Sequence, residues 1–205
     1  MNDLMQLYFS LIKNAKDLGD GLAQELSIAH HEQPAGFYGM AFNTITLTTE
    51  LLSYYNDLWG KISSIEGMAA EDARQQNAQR VIMIQKMSYI QLMSEFEFTA
   101  KNIFLSRSDI FGAPKGRVYI SKIMDSSLQK GLISNETHNL WEGAIFFRNS
   151  LTHNNGICEE TALYKFPDCE LRMVENEMVK GDLKLFGYLT RWVLQASSEW
   201  IRAVQ

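Results

Sequence analysis

Apolar residues recur every three or four positions along most of this chain. This period places the apolar side chains on one face of an α-helix, whereas a β-strand alternates its faces every two residues. The first run consists of Leu4, Leu7, Leu11, Ala15, Leu18, Leu22 and Leu26. Runs of the same kind predict further helices at residues 38–59, 89–103, 118–129, 134–153 and 182–200. The sequence therefore predicts an all-α fold, a bundle of amphipathic helices around a shared core.

Two segments depart from the helical period. Residues 62–78 are polar and include Gly67, which predicts a weak helix or a loop. In "ELRMVENEMVKGD", residues 170–182, short alternating runs flank Glu-Asn-Glu and predict a small β-hairpin before the C-terminal helix. We therefore expect an N-terminal helical extension over residues 1–78 and a helical domain over residues 79–205, packed together as one globular unit.

The composition limits the class of protein. A chain of 205 residues with 46% hydrophobic residues can bury a substantial core. Two cysteines are too few for a disulfide framework, and no apolar run is long enough to span a membrane, so we expect a cytoplasmic protein with reduced thiols. A net charge of -5 argues against nonspecific coating of nucleic acid. The sequence suggests neither a metal nor a cofactor, because the consecutive His30 and His31 lack the spacing of metal ligands.

One stretch is basic within this acidic chain. Between residues 101 and 130, only Asp109 and Asp125 oppose six cations, which are Lys101, Arg107, Lys115, Arg117, Lys122 and Lys130. Such a local excess of positive charge favours contact with a phosphate backbone, and Lys115 and Arg117 are the candidate contacts. The alternative is a solvated loop and helix face without a ligand.

The segment "FFRNSLTHNNG", residues 146–156, concentrates polar chemistry at the end of a predicted helix. At 100° per residue, an apolar stripe contains Leu140, Ala144, Phe147 and Leu151. Beside this stripe, an arc of about 140° contains Arg148, Thr152, Asn149 and His153. The sequence thus predicts reactive side chains on a face next to the core.

These residue types suit the cleavage of RNA without a metal ion. The guanidinium of Arg148 matches a phosphate group, and the imidazole of His153 exchanges protons near neutral pH. Asn149 lies one turn before His153 and is placed to fix the imidazole tautomer or to hold a substrate hydroxyl. His138 lies about 15 Å along the helix from Arg148 and is expected at the surface.

The spacing of Arg148, Asn149 and His153 resembles the Arg-[Asn/Asp/His]-x-x-x-His signature of the HEPN superfamily. The resemblance covers residues 79–205 and implies a helical bundle with the signature on a late helix, followed by a short excursion and a closing helix. It implies a metal-independent endoribonuclease, often a toxin or an antiphage defence effector. Arg148 and His153 would then be catalytic and Asn149 supporting.

The same resemblance implies partners and further contacts. HEPN ribonucleases act as homodimers whose two signatures share a cleft, and their neutralising partners include protein and nucleotidyltransferase-type antitoxins. Glu97 and Lys101 resemble the Glu-x-x-x-Lys element of some HEPN families, although any helix surface can carry such a pair. With Thr152, these two residues are candidates for binding the RNA substrate.

Two alternatives remain open at this point. Arg148 and His153 are also typical of solvated or capping residues near a helix end. Some HEPN domains are non-catalytic, which would make this chain a helical dimerisation or adaptor protein. Cleavage activity distinguishes the enzyme from both alternatives.

Overall fold

The computed structural model describes residues 2–113 and 116–205. Within these residues, the elements in chain order are α1 (Asn2–Leu26), α2 (Gly36–Ile62), α3 (Met68–Ser106), α4 (Ser108–Phe111), α5 (Ile120–Gln129), α6 (Asn135–His153), β1 (Ala162–Lys165), β2 (Glu170–Met173) and α7 (Leu185–Val204). The predicted all-α bundle with one small hairpin is confirmed. No helix in the described ranges has the length and hydrophobicity to cross a membrane.

The centre of the core lies around Phe96 of α3. The ring of Phe96 stacks on Trp141 of α6, with centroids 4.8 Å apart and planes 15° apart. Trp200 of α7 and Phe37 of α2 contact the same ring at centroid distances of 5.8 Å and 5.5 Å. All four side chains are fully buried. One aromatic cluster therefore fixes the positions of four helices relative to one another.

The weak segment at residues 62–78 is largely helical, because α3 begins at Met68. The guanidinium of Arg74 stabilises this start. It donates to the carbonyl oxygen of Ile62, the last residue of α2, over 3.3 Å and to that of Ile65, in the following connection, over 2.8 Å. Helix α3 crosses residue 78 without interruption, and the hydrophobic core includes side chains from both sides of that position.

Helix α2 contains the alternating segment "NTITLTT", whose β-branched residues favour a strand. The helical period predicted a helix here, and the structure confirms it. The hydroxyls of Thr48 and Thr49 donate to the carbonyl oxygens of Thr44 and Ile45, each over 2.7 Å. These bonds satisfy the hydroxyls within the helix, so that burial of both threonines is tolerated.

The hairpin forms at a different place from the one predicted. Strand β1 pairs antiparallel with β2, and Glu175-Asn176-Glu177 lies after the sheet instead of at its turn. The register is fixed by packing on α6. The ring of Tyr164 in β1 covers Gly143, where a Cβ atom would lie 2.5 Å from the ring. The C-terminal helix also begins three residues later than predicted, at Leu185.

A half-buried carboxylate lies between α2 and α3. Thr44 and Gln91 both donate to Oε1 of Glu95 over 3.0 Å, but no described donor reaches its buried Oε2 atom. Burial raises the pKa of Glu95 above its ordinary value of 4.5, and the two hydrogen bonds only partly offset this effect. Ionised Glu95 therefore destabilises the fold.

We expect Glu95→Gln to stabilise the protein at pH 7 by on the order of 1 kcal/mol, or about 2–4 °C in Tm. Because the folded-state pKa is raised, the contribution of Glu95 to stability is fully present below 4.5 and is lost as pH rises through the folded pKa. The gain from glutamine should therefore shrink as pH falls towards 4.5. Thermal unfolding of both proteins between pH 4 and pH 8 measures it. An unchanged difference across this range would contradict the prediction.

Candidate functional site

The helix that carries the candidate residues is α6. It begins as predicted, because the hydroxyl of Ser134 accepts a hydrogen bond from the amide of Thr137 over 3.0 Å. The predicted stripe is buried, and Trp141, Ile145 and Ser150 widen the buried face. The helix ends at His153, after which Asn155 and Gly156 both have positive φ angles, of 53° and 89°. The buried face of α6 thus packs against the core, and the polar face lies beside it.

A carboxylate on α3 joins the candidate residues of two helices. Oε1 of Glu97 lies 2.7 Å from Nζ of Lys101, and its Oε2 lies 3.4 Å from Nη2 of Arg148. Nη1 of Arg148 donates to Oδ1 of Asn149 over 3.0 Å. The structure therefore brings Glu97, Lys101, Arg148 and Asn149 together, and we call these four residues the Glu97 cluster.

The Glu97 cluster combines two cations with one anion. The side chains of Glu97 and Arg148 are 15% and 22% exposed, so the pair is partly shielded from water. The Glu97–Arg148 contact is longer than a strong charge-assisted bond, whereas the contact of Glu97 with Lys101 is short. A guanidinium has five N–H donors, which leaves donors of Arg148 for an anion. A phosphate group can compete with Glu97 for this side chain.

His153 lies near the Glu97 cluster but outside it. Its side chain is exposed, and it lies one helical turn after Asn149 on the same face of α6, whereas it lies about 140° around the helix axis from Arg148. No described residue forms a hydrogen bond with its imidazole. The amide oxygen of Asn149 binds Arg148 instead of the imidazole. The ring is therefore accessible to a substrate.

The predicted substrate contact Thr152 is exposed, and its hydroxyl donates to the carbonyl oxygen of Arg148 over 2.8 Å. This bond uses the hydroxyl proton within the helix and leaves only the oxygen lone pairs for a ligand. While it donates to Arg148, the Thr152 hydroxyl can therefore only accept a hydrogen bond from a substrate.

Comparisons with protein-family models, with curated proteins and with solved structures find no match. Two clustered cations and an amide can bind an anion, and an exposed imidazole that can transfer a proton follows the amide by one helical turn. Esters of phosphoric acid need these two functions for transesterification.

The basic stretch is only partly connected to this site. Lys101 belongs to the Glu97 cluster, whereas the guanidinium of Arg117 lies over the ring of Tyr119, 5.4 Å from its centroid. Arg107 binds Asp109 and the C-terminal carbonyl oxygens. Lys115 lies outside the described residues. No contact that the structure describes joins Arg117 to the Glu97 cluster.

The expectation that His138 lies at the surface is wrong. Its side chain is only 13% exposed, and Nε2 lies 2.8 Å from Oδ1 of Asp125. Glu142 approaches Nδ1 at 3.7 Å. The contact with Asp125 ties α5 to α6, which gives His138 a structural role. Within the described ranges, no three His, Cys, Asp or Glu side chains are grouped to hold a metal ion.

Proposed function

We propose that this protein is a metal-independent endoribonuclease of the HEPN type, acting in the cytoplasm as a toxin or defence effector. The observation that carries the proposal is the Glu97 cluster, where Arg148 and Asn149 of α6 meet Lys101 of α3 beside an accessible His153. Residues distant in sequence thus supply the phosphate-binding and proton-transfer groups in one region.

In the proposed reaction, the 2′-hydroxyl of a ribose attacks the adjacent phosphorus atom. A base accepts the hydroxyl proton, an acid protonates the departing 5′-oxygen, and the products are a 2′,3′-cyclic phosphate and a 5′-hydroxyl. Arg148 and Lys101 bind the phosphate oxygens, on which negative charge accumulates. His153 is the acid or the base.

One chain offers a single imidazole at this site, whereas the reaction needs both an acid and a base. A second copy of the chain would supply the other. An apolar stripe on α3 supports this assembly, because Met83, Met87, Phe98 and Leu105 are 52–63% exposed. Helical spacing places them within an arc of about 60°, which also includes Lys101. Exposed stripes of this kind mark interaction surfaces.

We expect the protein to form a homodimer through the α3 stripe. A charge at the centre of a covered apolar face is costly, so Met87→Glu and Phe98→Glu should each shift the protein to a monomer. Sedimentation velocity at micromolar concentration measures the mass, and Met68→Glu, which changes a methionine that is 85% exposed elsewhere on α3, is the control. A wild-type protein that stays monomeric would contradict the prediction.

We further expect Lys115 and Arg117 to contact RNA phosphates at the rim of the cleft. Replacing both with Ala should weaken RNA binding for all sequences alike and lower the slope of log K against log salt by about 1.4 for a single-stranded ligand. Fluorescence anisotropy at several salt concentrations measures both quantities. An unaltered affinity and slope would remove these two residues from the RNA-binding surface.

A second candidate function is that of a non-catalytic dimerisation or adaptor protein. The pairing of Arg148 with Glu97 favours it, because a guanidinium held by a carboxylate also serves to join α3 to α6. The α3 stripe serves either function. A neutralising partner, either a protein or a nucleotidyltransferase-type antitoxin, belongs only to the enzyme proposal.

The proposed function is tested by incubating the purified dimer with varied single-stranded RNAs in EDTA. We expect cleavage that leaves 2′,3′-cyclic phosphate ends, because imidazole and guanidinium groups carry the proposed chemistry. Dimeric protein that is inert on all substrates would support the adaptor function.

A further inference from the structure

A pocket of about 380 Å³ lies between α3, the end of α6 and the start of α7. Its inner part contains the buried Phe147 and Leu151 and the half-buried Phe186, whose ring stacks on that of Phe147 with centroids 5.6 Å apart. Ile82 and Met178 form an exposed part of its lining, with 47% and 65% of their surface accessible. This size and this apolar lining are typical of sites for small organic ligands.

Four polar side chains line the pocket, which are Gln85, Lys86, Asp182 and the exposed Asn155. The amide of Gln85 is buried and satisfied, because it accepts from the hydroxyl of Tyr8 and donates to a backbone carbonyl. Asp182 is exposed, and its carboxylate accepts the amide proton of Lys184 over 2.8 Å. Lys86 is half-buried, and no ion pair between described residues includes it. The pocket thus holds one cation that lacks a close counter-charge.

We propose that this pocket binds a small amphiphilic monoanion, with its apolar body against Phe147 and Phe186 and its carboxylate paired with Lys86. Apolar walls favour a ligand with an apolar body, because binding removes the apolar surface of that body from water. A partly buried ammonium gains more from an anionic partner than an exposed one does, because water screens it less. The carboxylate of Asp182 opposes the ligand only weakly, since it is exposed and already bonded. The site is independent of the ribonuclease proposal.

The test uses naphthalene-1-acetate and its neutral analogue naphthalene-1-acetamide, titrated into the full-length protein by isothermal titration calorimetry. We expect the acid to bind about tenfold more tightly than the amide, because only the acid forms a charge-assisted bond with Lys86. Lys86→Gln should lower the affinity for the acid by about tenfold and leave the affinity for the amide unchanged. Ile82→Trp and Met178→Trp each narrow the pocket from an exposed position, so each should lower the affinity for both ligands.

Matched controls separate the pocket from general surface effects. Lys61→Gln removes an exposed lysine, and Met68→Trp adds a tryptophan at a position that is 85% exposed, both outside the pocket. Neither should change the affinity for either ligand. The proposal would be overturned if the acid did not bind or if the acid and the amide bound equally well. It would also be overturned if Lys86→Gln left the affinity for the acid unchanged, or if Ile82→Trp and Met178→Trp both left the affinities for the two ligands unchanged.

Discussion

His153→Ala and Arg148→Ala should each lower the rate of RNA cleavage by about 10²–10⁴. The loss has two different causes. Among the described residues, His153→Ala removes the only imidazole near the Glu97 cluster, whereas Arg148→Ala removes the guanidinium that is proposed to bind the phosphate. The measurement is the initial rate of appearance of cyclic phosphate ends, in EDTA and at saturating RNA, so that weakened binding does not mimic lost chemistry.

Both variants should remain folded, for reasons that the structure supplies. His153 is exposed, and surface replacements usually change stability by less than about 0.5 kcal/mol. Arg148 is half-buried, but Glu97 keeps its short contact with Lys101 when the guanidinium is removed. Arg148→Lys provides a further variant, which retains the charge but lacks the donor fork. It should recover phosphate binding only in part.

His31→Ala is the matched control, because it removes another exposed histidine outside the Glu97 cluster. It should cleave RNA at the wild-type rate. If His153→Ala cleaved RNA as fast as His31→Ala and the wild type, the chemistry would lie elsewhere in the chain or in a contaminant. Circular dichroism of each variant separates lost chemistry from lost structure.

The helices were predictable from the sequence because the period of apolar residues is a local property. The Ser134 cap and the stripe of α6 followed from this period. The first turns of α3 did not follow from this period, since Arg74 stabilises them through carbonyl oxygens at the end of α2 and in the connection after it. The position of the hairpin likewise depends on the contact between Tyr164 and Gly143, which no local pattern encodes.

The candidate site was predictable in its parts but not in its assembly. The spacing of Arg148 and His153 on one helix, and of Glu97 and Lys101 on another, was readable in the sequence. That Glu97 contacts Arg148, 51 positions away, depends on how α3 packs against α6. The partial burial of His138 depends in the same way on Asp125 of α5.

Phe96→Ala should destabilise the protein by about 3–5 kcal/mol, the usual range for removing a buried phenylalanine. The ring of Phe96 is fully buried between Phe37, Trp141 and Trp200, so its loss leaves a cavity bordered by three large rigid rings. Rings of this size cannot collapse into the cavity without moving their helices, which places the expected cost within that range. Urea unfolding measures it, and Tm should fall by about 6–20 °C.

Phe9→Ala is the matched control, because this phenylalanine of α1 is 58% exposed. It should change stability by less than about 0.5 kcal/mol. The comparison also bears on the candidate site, since Phe96 precedes Glu97 and stacks on Trp141 of the helix that carries Arg148. A loss of less than about 1 kcal/mol in Phe96→Ala would mean that the core adjusts freely around this ring. The spacing between α3 and α6 would then lack the rigidity that the Glu97 cluster needs.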